Sequence, residues 1–367
     1  MRHATVVFLS LLLILCPIVV SAEDSITQPG WSGPDGQLAR TLFLHTKAAL
    51  DRIKSYSIDF ESVREWYLDP GQMAGPDTRP ARMPKGERVD VVNGTCLYDG
   101  KRFVVTSNAD YSFKNTTYRV SGPVGACLAD NYFAQMHAEM PSVIKAWDHV
   151  SIEAVPKDRL EFMQDWLWPK VLLYGFTDGT KELVPHYDSF THPILWTVTD
   201  NRTEAGHTYT LEATSPTREP GKPMVRYIID ADRGYMITAV NGYELNGSPH
   251  STLTCSLQRV DENTWFPRVV HVKRFPIATT SGHKHTFELR ITRVEVNRPF
   301  PVTTFTLDEF GYDPVLAEVR HFALNGQESL LYRWENAWAP IEFLPASAQA
   351  VIRNHVRERT VPWQERK

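Results

Sequence analysis

The stretch that decides the fold runs from Val225 to Arg274: VRYIID-ADRG-YMITAVNGYEL-NGSPH-STLTCSLQRV-DENT-WFPRVVHVKR. Four runs of alternating apolar and polar residues are separated by turn clusters at 230–234, Asn246-Gly247 and 261–263. Alternation with a period of two puts one strand face on a core and the other in water. The loops are too short for parallel crossovers, which need a dozen or more residues, so neighbouring strands must be antiparallel. The reading is a β-meander. Tyr235, Ile237, Ala239, Tyr243 and Leu245 are expected on one face, with Asn246-Gly247 as a type I′ hairpin turn.

Upstream, leucine and other apolar residues recur at helical spacing over 37–54 (Leu38, Leu42, Ala49, Leu50, Ile53), which predicts an amphipathic helix. Strands follow over 55–67, 87–97 and 102–107, the last two joined by a turn at Tyr98-Asp99-Gly100-Lys101. Phe103 to Val105 is apolar without a break, the mark of a strand covered on both faces. Residues 130–150 and 156–176 read as helices, together an insertion at about 130–182. Within it Trp166 and Trp168 either fill a core or line a ligand cleft. Strands resume over 193–198, 207–213 and 286–296, where a change of phase at Val294 implies a β-bulge or an end to pairing. Phe305, Leu307 and Phe310 read as docking side chains, Leu330 to Trp334 as a strand or short helix, and 347–359 as a terminal helix.

Met1 to Ala22 reads as a targeting segment, with a short basic start, an apolar run and a small-residue site that places cleavage between Ala22 and Glu23. That run is too short to span ~30 Å of hydrocarbon comfortably. The 367-residue chain has a formal net charge of −4, the wrong sign for a nucleic-acid partner. Cys96, Cys127 and Cys255 lie beyond the targeting segment, too few for a disulfide framework. Cys96 with Cys127 is the expected pair if one forms. Residues 23–36, rich in proline and glycine, read as a flexible lead-in.

The order is specific enough to compare. Leu50-Asp51-Arg52-Ile53-Lys54-Ser55-Tyr56 carries a helix into a strand, and Tyr98-Asp99-Gly100-Lys101-Arg102 turns a hairpin. Ile229-Asp230 leads to Gly234-Tyr235, and Gln258-Arg259-Val260-Asp261 to Trp265-Phe266-Pro267. From Leu38 to Pro301, minus the insertion, this resembles the LolA/LppX-like superfamily of exported lipoprotein carriers. The resemblance implies an α+β fold: a strongly bent antiparallel β half-barrel, open rather than closed, with helices on its concave face. It places the half-barrel domain over 37–310 and a C-terminal extension over 311–367. It further implies a soluble envelope or periplasmic protein that binds a lipid, a lipoprotein acyl chain or another apolar ligand, without a cofactor. Four Asn-x-Ser/Thr sequons, at Asn93, Asn115, Asn201 and Asn246, would matter only in a eukaryotic secretory pathway.

Candidate lining residues are the inward strand positions Ile58, Phe60, Tyr209, Leu211, Ile237, Leu253, Leu257, Phe287 and Leu289, with Trp166 from the insertion. The same residues would line a filled core, and the chain would then be a structural or interaction protein of the envelope. A metallohydrolase is the third reading. His283 and His285, with His271 on the preceding strand, could form a zinc-like set. No nucleophile elbow, His-Glu-x-x-His, P-loop or Gly-x-Gly-x-x-Gly occurs.

Overall fold

The computed structural model describes residues 29–68, 85–130, 132–137, 140–148, 183–219, 221–275, 285–301, 304–306, 318–322, 328–334 and 337–360. A 3-10 turn, Pro29–Trp31, leads into α1, Gly33–Leu50. Six strands follow: β1 Tyr56–Leu68, β2 Gly86–Tyr98, β3 Phe103–Phe113, β4 Arg119–Leu128, β5 Tyr132–His137 and β6 Met140–Asp148. After the short helix α2, Leu183–Asp188, come seven more. These are β7 Leu195–Thr203, β8 Gly206–Thr214, β9 Val225–Asp230, β10 Met236–Tyr243, β11 Pro249–Arg259, β12 Trp265–Arg274 and β13 His285–Val296. The chain continues with β14 Glu318–Phe322, β15 Glu328–Trp334, β16 Ala337–Pro340 and α3 Ala346–Thr360.

All sixteen strands form one sheet, ordered β16-β15-β14-β6-β5-β4-β3-β2-β1-β13-β12-β11-β10-β9-β8-β7. Two meanders, β1 to β6 and β7 to β13, lie side by side. They are joined by one antiparallel seam, β1 with β13, running from Tyr56 opposite Val296 to Glu65 opposite Thr286. Of the two readings of the phase change at Val294, the seam has the bulge, and pairing continues through it. Asp59 faces Arg293 and Phe60 faces Ile291, so Thr292 is the extra residue, and its hydroxyl donates to the Asp59 carbonyl at 3.2 Å. The sheet stays open, because its end strands β7 and β16 do not pair with each other.

Several sequence expectations need correction. The helical insertion is wrong over Tyr132–His137 and Met140–Asp148, which form the antiparallel strands β5 and β6 and extend the first meander. The rest of it, with Trp166 and Trp168, lies outside the described residues, as do the targeting segment, Leu307 and Phe310. Among the described strands one pair departs from the antiparallel rule: the C-terminal residues enter the same sheet through β14, which runs parallel to β6. α1 begins earlier than expected, behind Pro34, and Leu38 is 42% exposed while Ala39, Leu42, Phe43, Thr46 and Leu50 are buried. The bulge between Ile237 and Ala239 shifts the phase of β10, and Leu245 is exposed beyond its end. Gly247 has φ +84°, but Asn246 does not have positive φ. The turn is therefore not type I′, and it spans Glu244 to Ser248, closed by Glu244 N–H to the Ser248 carbonyl.

The expected Cys96–Cys127 bridge is not formed, and Cys96 keeps a free thiol. The register explains why. Cys96 is opposite Val105, and Val105 is opposite Ala126, so Cys96 and Cys127 project from opposite faces of the sheet, two strands apart. Burial pushes the Cys96 thiol up to about 12.

Phe103, Val104 and Val105 are all buried, so β3 is covered on both faces there as the unbroken apolar run requires. Phe305 is buried too, with the Arg102 guanidinium 4.8 Å from its ring centre. Gly94 marks the sharpest approach between strands. A Cβ there would lie 2.2 Å from the Thr106 carbonyl oxygen and 2.4 Å from Ser107 Cβ. Gly94→Ala must spread β2 from β3, and a loss of about 2 kcal/mol is expected in urea unfolding. A change within about 0.5 kcal/mol would mean that the strands part without strain.

Candidate functional site

The inner face of the sheet carries two adjoining apolar clusters. The first joins Ile58 and Phe60 of β1, Val92 and Cys96 of β2, and Val105 of β3 to Leu253, Val270, Phe287, Leu289 and Ile291 from β11 to β13. The second joins Leu211, Tyr227 and Ile229 of β8 and β9 to Trp31, Leu42, Phe43, Leu183, Tyr187 and Trp196. The helix α1 belongs to both: Ala39, Leu42 and Phe43 enter the second, and Leu50 at its end enters the first.

Trp31 is the hub of the second cluster. Its ring stacks on Trp196 at 5.3 Å and meets Tyr187 and Phe43 edge-on at 5.2 and 5.9 Å. Its indole N–H donates to Asp188 at 2.7 Å. Polar links pin α1 to the sheet beside it. The Asp35 carboxylate accepts from Val198 N–H of β7, and the Thr46 hydroxyl donates to the Tyr235 carbonyl. Tyr187 and Tyr227 hydroxyls meet at 3.0 Å within this core, and burial pushes the Tyr227 hydroxyl up to about 12.

All nine strand residues expected to line the inner face turn inward, but they divide between the clusters. Ile58, Phe60, Leu253, Phe287 and Leu289 are core residues of the first cluster, and Leu257 packs against it. Leu211 is core to the second, with Tyr209 and Ile237 packed against it. The second group is therefore under α1 and α2, while among the described residues no helix packs along β1 to β4.

Burial along β1 is graded. Tyr56, Ile58, Phe60 and Ser62 are at most 2% exposed, whereas Arg64 and Trp66 are half-buried. The closed end is tight: the Tyr56 ring contacts Phe266 of β12 at 5.4 Å, although β13 lies between their strands. Strands spaced ~4.8 Å apart bring such rings together only where the sheet bends strongly inward.

The other end is polar, and the sequence reading did not single it out. The Arg64 Nε–H donates to His285 Nε2 at 3.0 Å, and its guanidinium lies 4.5 Å over Trp66. Trp66 N–H and Arg88 Nε–H both donate to the buried Asp90 carboxylate, at 2.8 and 2.5 Å. The Arg88 guanidinium also lies 4.1 Å over Tyr111. A visible signal existed: Arg64 and Trp66 continue the inward phase of Ile58 and Phe60, and Arg88 and Asp90 continue that of Val92.

His285 belongs to this group and not to a metal set. His271 faces Glu288 across the β12–β13 ladder while His285 faces Arg274, three residues along, so the two imidazoles lie on opposite faces. His283 lies outside the described residues. Burial, then the Arg64 and Arg274 charges, lowers His285 from 6.5 to about 3. Between those values the unfolded chain binds a proton there that the folded chain refuses. Stability then falls as pH drops through that window, with a slope of up to about 1.4 kcal/mol per pH unit. His285→Gln is expected to flatten the pH dependence of the urea midpoint between pH 6.5 and 4. Parallel profiles for wild type and variant would refute this.

No family model matches the chain, and no curated protein matches it. Among solved structures it is similar to a DUF1329 family protein from Desulfovibrio piger, at 10% identity and TM-score 0.35, over 75% of this chain and 98% of that one. It is also similar to a LolA superfamily protein from Nitrosomonas europaea, at 10% identity and TM-score 0.27, over 74% and 98%. LprF from Mycobacterium bovis matches at 9% identity and TM-score 0.23, over 73% and 98%. The fold assignment itself rests on the strand pairing above.

Proposed function

We propose that this protein is an exported, non-catalytic carrier that holds an acyl chain, of a lipid or a lipoprotein, against the inner face of its open sheet. The observation that supports this reading is the graded inner face: greasy and closed at Tyr56, half-buried and polar at Trp66. Holding such a ligand needs no covalent chemistry, because each buried CH₂ contributes ~0.8 kcal/mol. Among the described residues no helix is long and apolar enough to cross a membrane. Export rests on the targeting segment and is tested by N-terminal sequencing, with Glu23 the expected first residue of the mature chain.

Native mass spectrometry of protein purified from its own envelope tests the carrier reading. The expected result is a co-purifying lipid or lipoprotein mass, released when the protein unfolds. Bare protein that also takes up no lipid when supplied would defeat it. One observation favours a second reading, a structural envelope protein with a filled core: Ile58, Phe60, Phe287 and Leu289 are already at most 2% exposed within this chain alone. The same measurement separates the two.

A further inference from the structure

The turn between β10 and β11 carries a reactive dipeptide. An asparagine followed by glycine can close on itself. The glycine amide nitrogen attacks the asparagine Cγ, and the missing glycine Cβ leaves that approach open. Asn246-Gly247 has this sequence, and so does Asn93-Gly94. The fold treats the two differently.

Asn246 and Ser248 are exposed, and the corner they sit in is fixed. Glu244 N–H donates to the Ser248 carbonyl at 2.8 Å, and Gly247 N–H to the Glu244 carbonyl at 2.9 Å. Arg218 clamps the same corner from the neighbouring loop, donating to the carbonyls of Glu244 at 2.7 Å and Tyr243 at 3.1 Å. Here the Asn246 side chain folds back over its own peptide. Its Oδ1 accepts from Ser248 N–H at 2.8 Å and from the Ser248 hydroxyl at 2.6 Å. A backbone N–H only donates, so the atom it meets is the amide oxygen, and the amide nitrogen is the departing group.

Ring closure puts negative charge on that oxygen. Two donors already aimed at it are the arrangement that stabilises a tetrahedral oxyanion. Asn93 is placed otherwise. It lies in the middle of β2, opposite Glu61 of β1 and Asn108 of β3, and Gly94 is held against Thr106. An extended strand stands the side chain perpendicular to the sheet, away from the next amide nitrogen.

We propose that Asn246 is a site of self-catalysed deamidation, with Gly247 as nucleophile and Ser248 as oxyanion donor. The Gly247 nitrogen bonds to Asn246 Cγ as its proton passes to solvent hydroxide. The Cγ–Nδ2 bond breaks, and ammonia leaves with a proton taken from water, giving a cyclic imide. Water then opens the imide at one carbonyl or the other, giving aspartate or isoaspartate. The balance is one water consumed and one ammonia released, with no change of oxidation state. Aspartate keeps both Ser248 donors. Isoaspartate adds a carbon to the backbone and forces the corner open.

The test follows conversion of Asn246 and Asn93 by peptide mass spectrometry in the full mature chain, folded and in guanidinium chloride, at mildly alkaline pH. Asn246 is expected to convert at least about fivefold faster in the folded chain than in the unfolded one, the effect of the oxyanion donors. Asn93 is expected to stay intact while the chain is folded. Ser248→Ala, at an exposed position, is expected to lose most of the folded-state excess, and Ser248→Thr to keep it. Conversion of Asn246 no faster folded than unfolded, or an excess that survives in Ser248→Ala, overturns the inference. So does folded-state conversion of Asn93 at the rate of Asn246.

Discussion

Trp31→Ala is expected to lower the free energy of unfolding by about 4 kcal/mol, read as a shifted urea midpoint with unchanged slope. Three effects combine. The indole is 0% exposed, so its removal leaves a cavity that the surrounding rings cannot all move to fill. The stacked and edge contacts with Trp196, Tyr187 and Phe43 go with it. Asp188 loses the indole N–H it accepts. The residue matters because it is where the 3-10 turn, α1, α2 and β7 meet, and few backbone bonds tie these elements together. Leu195→Ala, at a side chain 50% exposed on the same strand as Trp196, is the control and is expected to change stability by no more than about 0.5 kcal/mol. A Trp31→Ala loss under about 1 kcal/mol would mean that α1 is held by its polar links.

Arg88→Met is the second large effect, with an expected loss of about 3 kcal/mol. Arg88 is 8% and Asp90 4% exposed, so the variant leaves a buried carboxylate with the Trp66 indole but without its cation. Replacing both partners differs in kind. Arg88→Met/Asp90→Leu is expected to recover most of the loss, since no buried charge is then stranded. The double-mutant cycle reports the coupling directly. Additive losses would show that the two residues act independently, contrary to the 2.5 Å contact between them.

The parts of the fold that could be read from the sequence were those in which local signals agree. From β9 to β13 the alternation, the short turns and the β-branched residues all point to adjacent antiparallel strands. The bulge at Thr292 left only a partial trace, a phase change at Val294 that fits a bulge or an end to pairing. The misread strands are those in which local signals disagree. Phe133, Met136, Met140, Ile144 and Trp147 recur at helical spacing, yet these residues lie in strands because β4 and β14 offer backbone partners on both sides. β4 itself contains Gly122, Pro123 and Gly125, the composition of a loop. Among the described residues β5 pairs only with Gly125 to Leu128, so the ladder that Pro123 joins is the one with β3, where it faces Asn108. Of the inner face, the inward placement of its apolar residues was legible from their period of two. The arginine cluster was passed over because charged residues on alternating strands normally belong to the wet face, and only the inward phase of Arg64 and Arg88 marks them as different.

The seam between β1 and β13 has a consequence for how the protein is made. Some 220 residues separate the end of β1 from the start of β13, so one long flank of β1 lacks its backbone partner until nearly four-fifths of the chain has been synthesised. Pairings this remote in sequence form slowly, and a naked strand flank invites association between nascent copies. An escorting factor that shields that flank before the two halves meet is the kind of helper such a topology calls for.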